Sequence, residues 1–223
     1  MATLLLRLQG PMQSWGTTSR FDERDTQLEP SKSGVLGLVC AALGRDRREP
    51  VDDLAALRMG VRVEREGVPM RDYQTATGVV IASSGKSDHD RTVVSPRYYL
   101  ADAVFLVGLE GERALLADVH AALARPVWPL ALGRKSFVPT SPVHLPEGLR
   151  DQSLEYALAN CSCLLEGGTP RTSRRLLLEH PNEGSVRLDQ PVAPFAERRF
   201  GPRFVKSALF TPGGAHAPDP TAA

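Results

Sequence analysis

The sequence predicts an α+β fold: a ferredoxin-like (RRM-like) N-terminal domain with a long hairpin arm, followed by a smaller β-rich C-terminal domain. Three observations carry this. Strand-length apolar runs and helix-period segments follow in the order strand, helix, strand, long hairpin, strand, helix, which is the β-α-β-β-α-β order. Two β-prone patches, Val79-Val80-Ile81 and Thr92-Val93-Val94, flank a polar run that contains Gly85, the pattern of a hairpin projecting from a sheet. Beyond Pro126 the helical period fades, and prolines and glycines punctuate short β-prone runs.

Thr3 to Gln9 is an apolar run ended by Gly10-Pro11, so a central strand. Trp15 follows in a loop, either as a lid over the sheet edge or as a surface for stacking a nucleotide. Ser31 or Ser33 caps a helix that runs from Gly34 to Leu43, and Gly44 sits where a left-handed residue ends it. This helix is apolar nearly all round, and Gly34, Gly37 and Ala41 share one face that permits close approach. Its N-terminus, with Lys32 and unpaired backbone N–H groups, has the chemistry of a phosphate site. Residues 45 to 58 read as a solvated loop or short helix. Met59 to Arg65 alternates, as a half-exposed strand does, and turns at Glu66-Gly67-Val68-Pro69 into the arm. Ala103 to Leu109 is a buried strand, and an amphipathic helix through Leu115, Val119 and Leu123 ends at Pro126.

The arm occupies about residues 76–97. One end carries Arg71 and Tyr73, the other Arg97 and Tyr98; arginine suits phosphate contacts and tyrosine suits base stacking. Gly133-Arg134-Lys135-Ser136 puts two cations beside a residue that lets backbone come close to a ligand, though on the residues alone a plain turn with solvated cations is the favoured reading. Residues 152 to 210 read as punctuated β structure with basic stretches at 171–175 and 198–206. The second is interleaved with Phe200 and Phe204, which suits either a bound single strand or a charged edge strand. The expected division is therefore 1–148, 149–212 and a flexible tail over 213–223.

Net charge is +1, so any basic surface must be a local patch. Cys40, Cys161 and Cys163 form no disulfide framework and read as buried thiols in a reducing cytoplasm. No signal peptide or membrane-length apolar run is expected. Gly85-Lys86-Ser87 is not a phosphate-binding loop, because Val80 stands where the first glycine must be. The five histidines are scattered, so neither a metal nor a cofactor is implied. Metal-free RNA cleavage by Tyr73, Lys86, His89 and Tyr98 stays open as a reading of the arm.

The blocks Leu4-Leu5-Leu6-Arg7-Leu8-Gln9-Gly10-Pro11-Met12-Gln13-Ser14-Trp15-Gly16, Pro30-Ser31-Lys32-Ser33-Gly34-Val35-Leu36-Gly37-Leu38, Arg71-Asp72-Tyr73-Gln74-Thr75, Arg97-Tyr98-Tyr99-Leu100 and Leu132-Gly133-Arg134-Lys135-Ser136 occur in this order. In order and spacing they resemble the CasD-type subunits of type I-E CRISPR Cascade complexes, within the RAMP superfamily. The resemblance implies a non-catalytic subunit that binds the 5′ handle of the crRNA and caps the backbone filament. It also implies an arm folded over the guide, with CasC backbone subunits, the large CasA subunit and other Cascade subunits as neighbours, and target DNA near the PAM reached through the complex. Relatives in another subtype cut RNA, which keeps a metal-independent endoribonuclease as the alternative. Carried over by position, the RNA-contacting residues are Arg97, Tyr98, Arg71, Tyr73, Arg134, Lys135 and Ser136. A second group comprises Lys32, Ser33, Gln13 and Trp15. The tip of the arm departs from the family pattern.

Overall fold

The computed structural model describes residues 1–18, 23–80, 85–165 and 174–210. Strand β1 (Ala2–Gln9) lies between β8 (Val104–Gly111) and β9 (His144–Arg150), antiparallel to both. Side chains alternate across a strand, so Leu4, Leu6 and Leu8 enter one core while Leu5 enters another. The larger core lies under α1 (Lys32–Leu43) and α3 (Arg113–Ala124). The smaller lies under α4 (Leu154–Asn160), where Leu154, Ala157 and Leu158 meet Leu5, Leu106 and Leu176.

The sheet continues from β8 to β3 (Arg58–Arg65), β10 (Arg174–His180), β12 (Phe200–Phe210) and β11 (Ser185–Pro191). Its full order is β11-β12-β10-β3-β8-β1-β9, with every neighbouring pair antiparallel. The fold is thus mixed helix and sheet with mostly antiparallel strands. The short α2 (Asp52–Ala55) leads into β3.

Several expectations are corrected. β3 is not half-exposed: six of its eight residues, Met59 to Glu64, are buried, because β8 and β10 flank it and both faces are covered. Its charged residues Arg62 and Glu64 are fully buried and pair with each other. Arg62 also donates to the carbonyls of Leu158, Cys161 and Ser162, and so caps the C-terminal end of α4. Helix α4 itself lies in a stretch expected to be β. β12 is internal rather than an edge, and its Arg203 is buried against Asp189 at 2.6 Å. Arg199 and Lys206 pair with Glu197 and Glu183, so the basic stretch over 198–206 is largely consumed by internal ion pairs. Cys40 and Cys161 are buried, whereas Cys163 is exposed. Burial raises the Cys40 thiol to a pKa of about 11.

The arm grows from a second, small sheet. β7 (Arg97–Ala101) lies between β2 (Met12–Gln13) and β4 (Val68–Asp72). Beyond it β5 (Thr75–Val80) and β6 (Ser87–Val94) pair as a two-stranded ribbon, from Thr75 opposite Val94 to Val80 opposite Ser87. The register shifts between Thr77 and Val79, where Gly78 takes a φ of 66°. Every residue of these two strands is half-buried or exposed. The tip residues Ser83 and Ser84, residues 171–173 at the start of the first basic stretch, and the tail 213–223 lie outside the described residues.

Candidate nucleic-acid interface

β2 is two residues long and pairs only with Leu100 and Ala101, leaving the first residues of β7 without a ladder partner on that side. The segment around Arg24 fills the position. Arg24 donates its N–H to the Pro96 carbonyl at 2.9 Å and accepts from the Tyr98 N–H at 2.8 Å, forming a parallel bridge beside Arg97. On the other side of β7, Arg71 stands opposite Tyr98 and Asp72 opposite Arg97. Residues directly opposite in an antiparallel pair share a face, so Arg71 accompanies Tyr98 and Asp72 accompanies Arg97.

The loop after α3 completes the site. Gly133 has a φ of 94°, and a Cβ there would come within 1.8 Å of the Ser14 carbonyl oxygen. Only glycine fits so close to the backbone. The loop is pinned by Ser14 N–H to the Leu132 carbonyl at 3.0 Å and by Leu132 N–H to the Phe137 carbonyl at 2.8 Å. That placement puts the Arg134 guanidinium against the base of the arm. Its Nη2 donates to the Tyr98 carbonyl at 2.8 Å and to the Arg24 carbonyl at 3.3 Å. The guanidinium carbon stands 5.3 Å from the centroid of Phe137, which in turn packs on Tyr99 at 5.9 Å. Burial lowers the pKa of Arg134, and the nearby positive charges of Arg97 and Arg24 act in the same direction, with Asp72 opposing. The Nε of Arg97 is buried and has no hydrogen-bond partner in the protein.

The structure therefore brings Arg97, Tyr98 and Arg134 together, with Arg71 across the ladder. Tyr73 projects at the root of the arm and is 69% exposed. Lys135 and Ser136 are exposed on the same loop as Arg134.

The second group from the sequence is placed elsewhere. Trp15 is 1% exposed and packs on Gly34, where an added Cβ would meet its ring at 2.8 Å. Its indole N–H donates to Gln13 Oε1 at 3.2 Å, and Gln13 Nε2 donates to the Ala103 carbonyl at 2.8 Å. Of the two alternatives for Trp15, the lid is the one realised, and Gln13 is its buried support. Lys32 is corrected as well: it is 1% exposed, with Nζ on Glu179 Oε1 at 2.9 Å and its N–H on Asp189 Oδ2 at 2.7 Å. The helix start that resembled a phosphate site is thus occupied by the protein's own carboxylates. Burial lowers the Lys32 pKa against the pull of Glu179. Ser33 is half-buried in the first turn of α1.

Arg24 was missed because it lies in a polar connection with no periodicity. Its only signal was an arginine in a segment that must return to the sheet before Pro30. The arm also separates the groups that metal-free RNA cleavage would need together. At roughly 3.4 Å per residue, His89 lies on the order of 17 Å up β6 from Val94, while Tyr73 and Tyr98 stay at the root. Among the described residues no cluster of three or more His, Cys, Asp or Glu could hold a metal.

Fold and site together define a mixed α and β protein with a cationic and aromatic cluster at the root of a projecting ribbon. Residues 3–206 match the CRISPR-associated protein (Cas_Cas5) family, and the chain belongs to it. It is 34% identical over 159 residues to the CRISPR system Cascade subunit CasD of Escherichia coli (strain K12), covering 64% of this chain and 69% of that protein. Among solved structures, a Cas protein is 54% identical with a TM-score of 0.78, covering 94% of this chain and 95% of its own. A chain of a CRISPR RNA-guided surveillance complex is 34% identical with a TM-score of 0.74, covering 94% and 90%.

Proposed function

We propose that this chain is a non-catalytic subunit of a CRISPR RNA-guided surveillance complex and holds the 5′ handle of the crRNA at the root of its arm. The observation that carries this reading is the convergence of Arg97, Tyr98 and Arg134 on one patch, in a chain whose net charge is only +1. Cations concentrated at one place on a near-neutral protein form a local phosphate-binding surface rather than a general basic coat. Arginines there fix the register of the backbone, while Tyr73 and Tyr98 offer faces to splayed bases. Lys135 and Ser136 extend the contact along the loop.

In this reading β9-β1-β8-β3, with α1 and α3 on one face, is a ferredoxin-like unit spanning residues 1–148. The β-rich unit over 149–212 is joined to it at β3. The ribbon folds over the first guide nucleotides, and the subunit caps the backbone filament in the cytoplasm. CasC and CasA are its neighbours, and target DNA near the PAM is reached through the complex. The distance between His89 and the two tyrosines speaks against a metal-free ribonuclease.

The test is co-expression with the remaining Cascade subunits, followed by sequencing of the bound RNA. Wild-type complexes are expected to carry guides of uniform 5′ sequence, and Arg97→Ala with Arg134→Ala to lower guide occupancy. Undiminished occupancy in the double variant overturns the assignment. Purified chain incubated with repeat RNA in EDTA is expected to leave it intact.

A further inference from the structure

The outer strands of the seven-stranded sheet are covered on one face only. On the α1 side they are sealed: Leu177 and Val205 lie in the larger core, and Arg203 is buried against Asp189. On the α4 side they are bare. Helix α4 packs on β1, β3 and β8, and Val186 and Leu188 of β11 remain 55% and 53% exposed. Val186 stands opposite Phe204, and Phe204 opposite His180, in one row across β11, β12 and β10. Residues directly opposite share a face, so this row is apolar surface that the described residues leave uncovered. At its end opens a cleft of about 320 Å³, walled by Pro181, Pro202 and Phe204 with His180 and Arg58 beside them. The charged groups around the cleft are already paired: Arg58 with Glu110 and Glu155, Arg203 with Asp189, Glu179 with Lys32. A phosphate would find no unpaired cation among them, unlike at the root of the arm. His180 Nδ1 accepts from the N–H of Glu183 at 3.1 Å and of Asn182 at 3.4 Å, which leaves the ring hydrogen on Nε2 as a donor. Rigid apolar walls, one donor and no free charge suit an uncharged peptide rather than a nucleic acid.

We propose that the bare face of β11 and β12, with the cleft at its end, seats an uncharged apolar segment of a neighbouring subunit of the surveillance complex. An aromatic or proline side chain of that segment enters the cleft against Pro181, Pro202 and Phe204. Its backbone carbonyl accepts from His180 Nε2–H, and flanking aliphatic side chains cover Val186 and Leu188. The inference rests on the reading of the chain as a complex subunit and adds to it a surface and a partner chemistry. The seat lies at the Arg58 end of β3, whereas the arm departs beyond the Arg65 end, on the order of 24 Å away. Guide and partner can therefore be held at once.

The experiment co-expresses the remaining Cascade subunits with two versions of the full chain, the wild type and the double variant Val186→Asp with Leu188→Asp. Their ratio in the purified complex is read by mass spectrometry. Both side chains are exposed, so the variant is expected to keep the wild-type thermal midpoint and the wild-type affinity for repeat RNA. Wild type is expected to exceed the variant in the complex by about tenfold. Equal incorporation overturns the proposal. A variant that loses RNA affinity together with incorporation also overturns it, because the substitutions then act on the fold or the guide site. In a second measurement the complex carrying Leu188→p-benzoylphenylalanine is irradiated. A covalent link to an uncharged apolar stretch of another subunit is expected. A link to RNA, to a second copy of this chain or to a charged stretch, or no link at all, overturns the seat while leaving handle binding intact. Failure of the wild-type chain to enter any complex refutes the subunit reading instead, and the seat with it.

Discussion

Arg134 reaches back across the base of the arm to donate a 2.8 Å hydrogen bond to the carbonyl of Tyr98, a residue 36 positions earlier in the chain. One guanidinium therefore both braces the strand that presents Tyr98 and supplies positive charge beside it. Arg134→Lys is expected to keep the charge but weaken the brace, because a flexible lysine stem lacks the fixed planar group that holds Arg134 Nη2 between the Tyr98 and Arg24 carbonyls. Guide binding should fall in this variant with an unchanged salt slope, whereas Arg134→Ala should lower both. Parallel titrations of the two variants distinguish geometry from charge.

Gly133→Ala tests the loop that delivers Arg134. A methyl group would meet the Ser14 carbonyl oxygen at 1.8 Å, and the residue's φ of 94° is unfavourable for any L side chain. Backbone strain alone costs about 1–3 kcal/mol, and the clash adds to it. The thermal midpoint should drop, and guide binding should weaken although no RNA-contacting side chain has changed.

Arg62→Ala is expected to be among the most destabilising single substitutions in the chain. It leaves Glu64 buried with only Arg174 as a cationic partner and uncaps the end of α4. Removing one partner of a buried pair costs roughly 3–5 kcal/mol, which urea denaturation can measure.

His120 on α3 and His144 on β9 stack with ring centroids 4.4 Å apart. Burial, and secondarily the neighbouring His120, lowers the pKa of His144 below its ordinary value of 6.5. The unfolded chain therefore binds this proton more readily than the folded one, so stability is full above about pH 6.5 and declines as pH falls below it. The thermal midpoint of the wild type should decrease more steeply from pH 7 to pH 5 than that of His144→Gln. Equal slopes would show that the pair is not coupled to folding.

Excising Gly78 to Arg91 and closing Thr77 to Thr92 with a two-residue turn removes most of the ribbon at a register pair. No residue of β5 or β6 belongs to either core, so the thermal midpoint should be nearly unchanged while assembly on guide RNA suffers.

Much of this was legible because it depended on pattern. The apolar runs at 3–9 and 103–109 lie in strands, the apolar segment ending at Gly44 is a helix, and the strands that carry the β-prone patches of the arm pair, although the patches themselves do not face each other. The tyrosines and arginines at the root of the arm were legible for the same reason, since paired strands bring their ends together. What failed depended on tertiary partners. Arg62 and Glu64 alternate with apolar residues as solvent-facing residues do, and only Arg174 and the carbonyls after α4 make them buried. Leu154–Asn160 is seven residues long, too short for a helical period to stand out. Lys32 had the composition of an anion site, but its neutralising carboxylates come from about 150 residues away in sequence.

That last separation has a consequence for how the chain is made. α1 is complete as sequence by Leu43, yet Asp189 and Glu179, the groups that satisfy its first turn, belong to strands synthesised near the end. β3 likewise gains its second neighbour only when β10 arrives. The N-terminal half must therefore leave the ribosome with an open strand edge and a buried-type lysine still in water. Distant pairings of this kind slow folding and expose edges to other chains. The closing strands act as the last fastening of a structure that was begun from its other end.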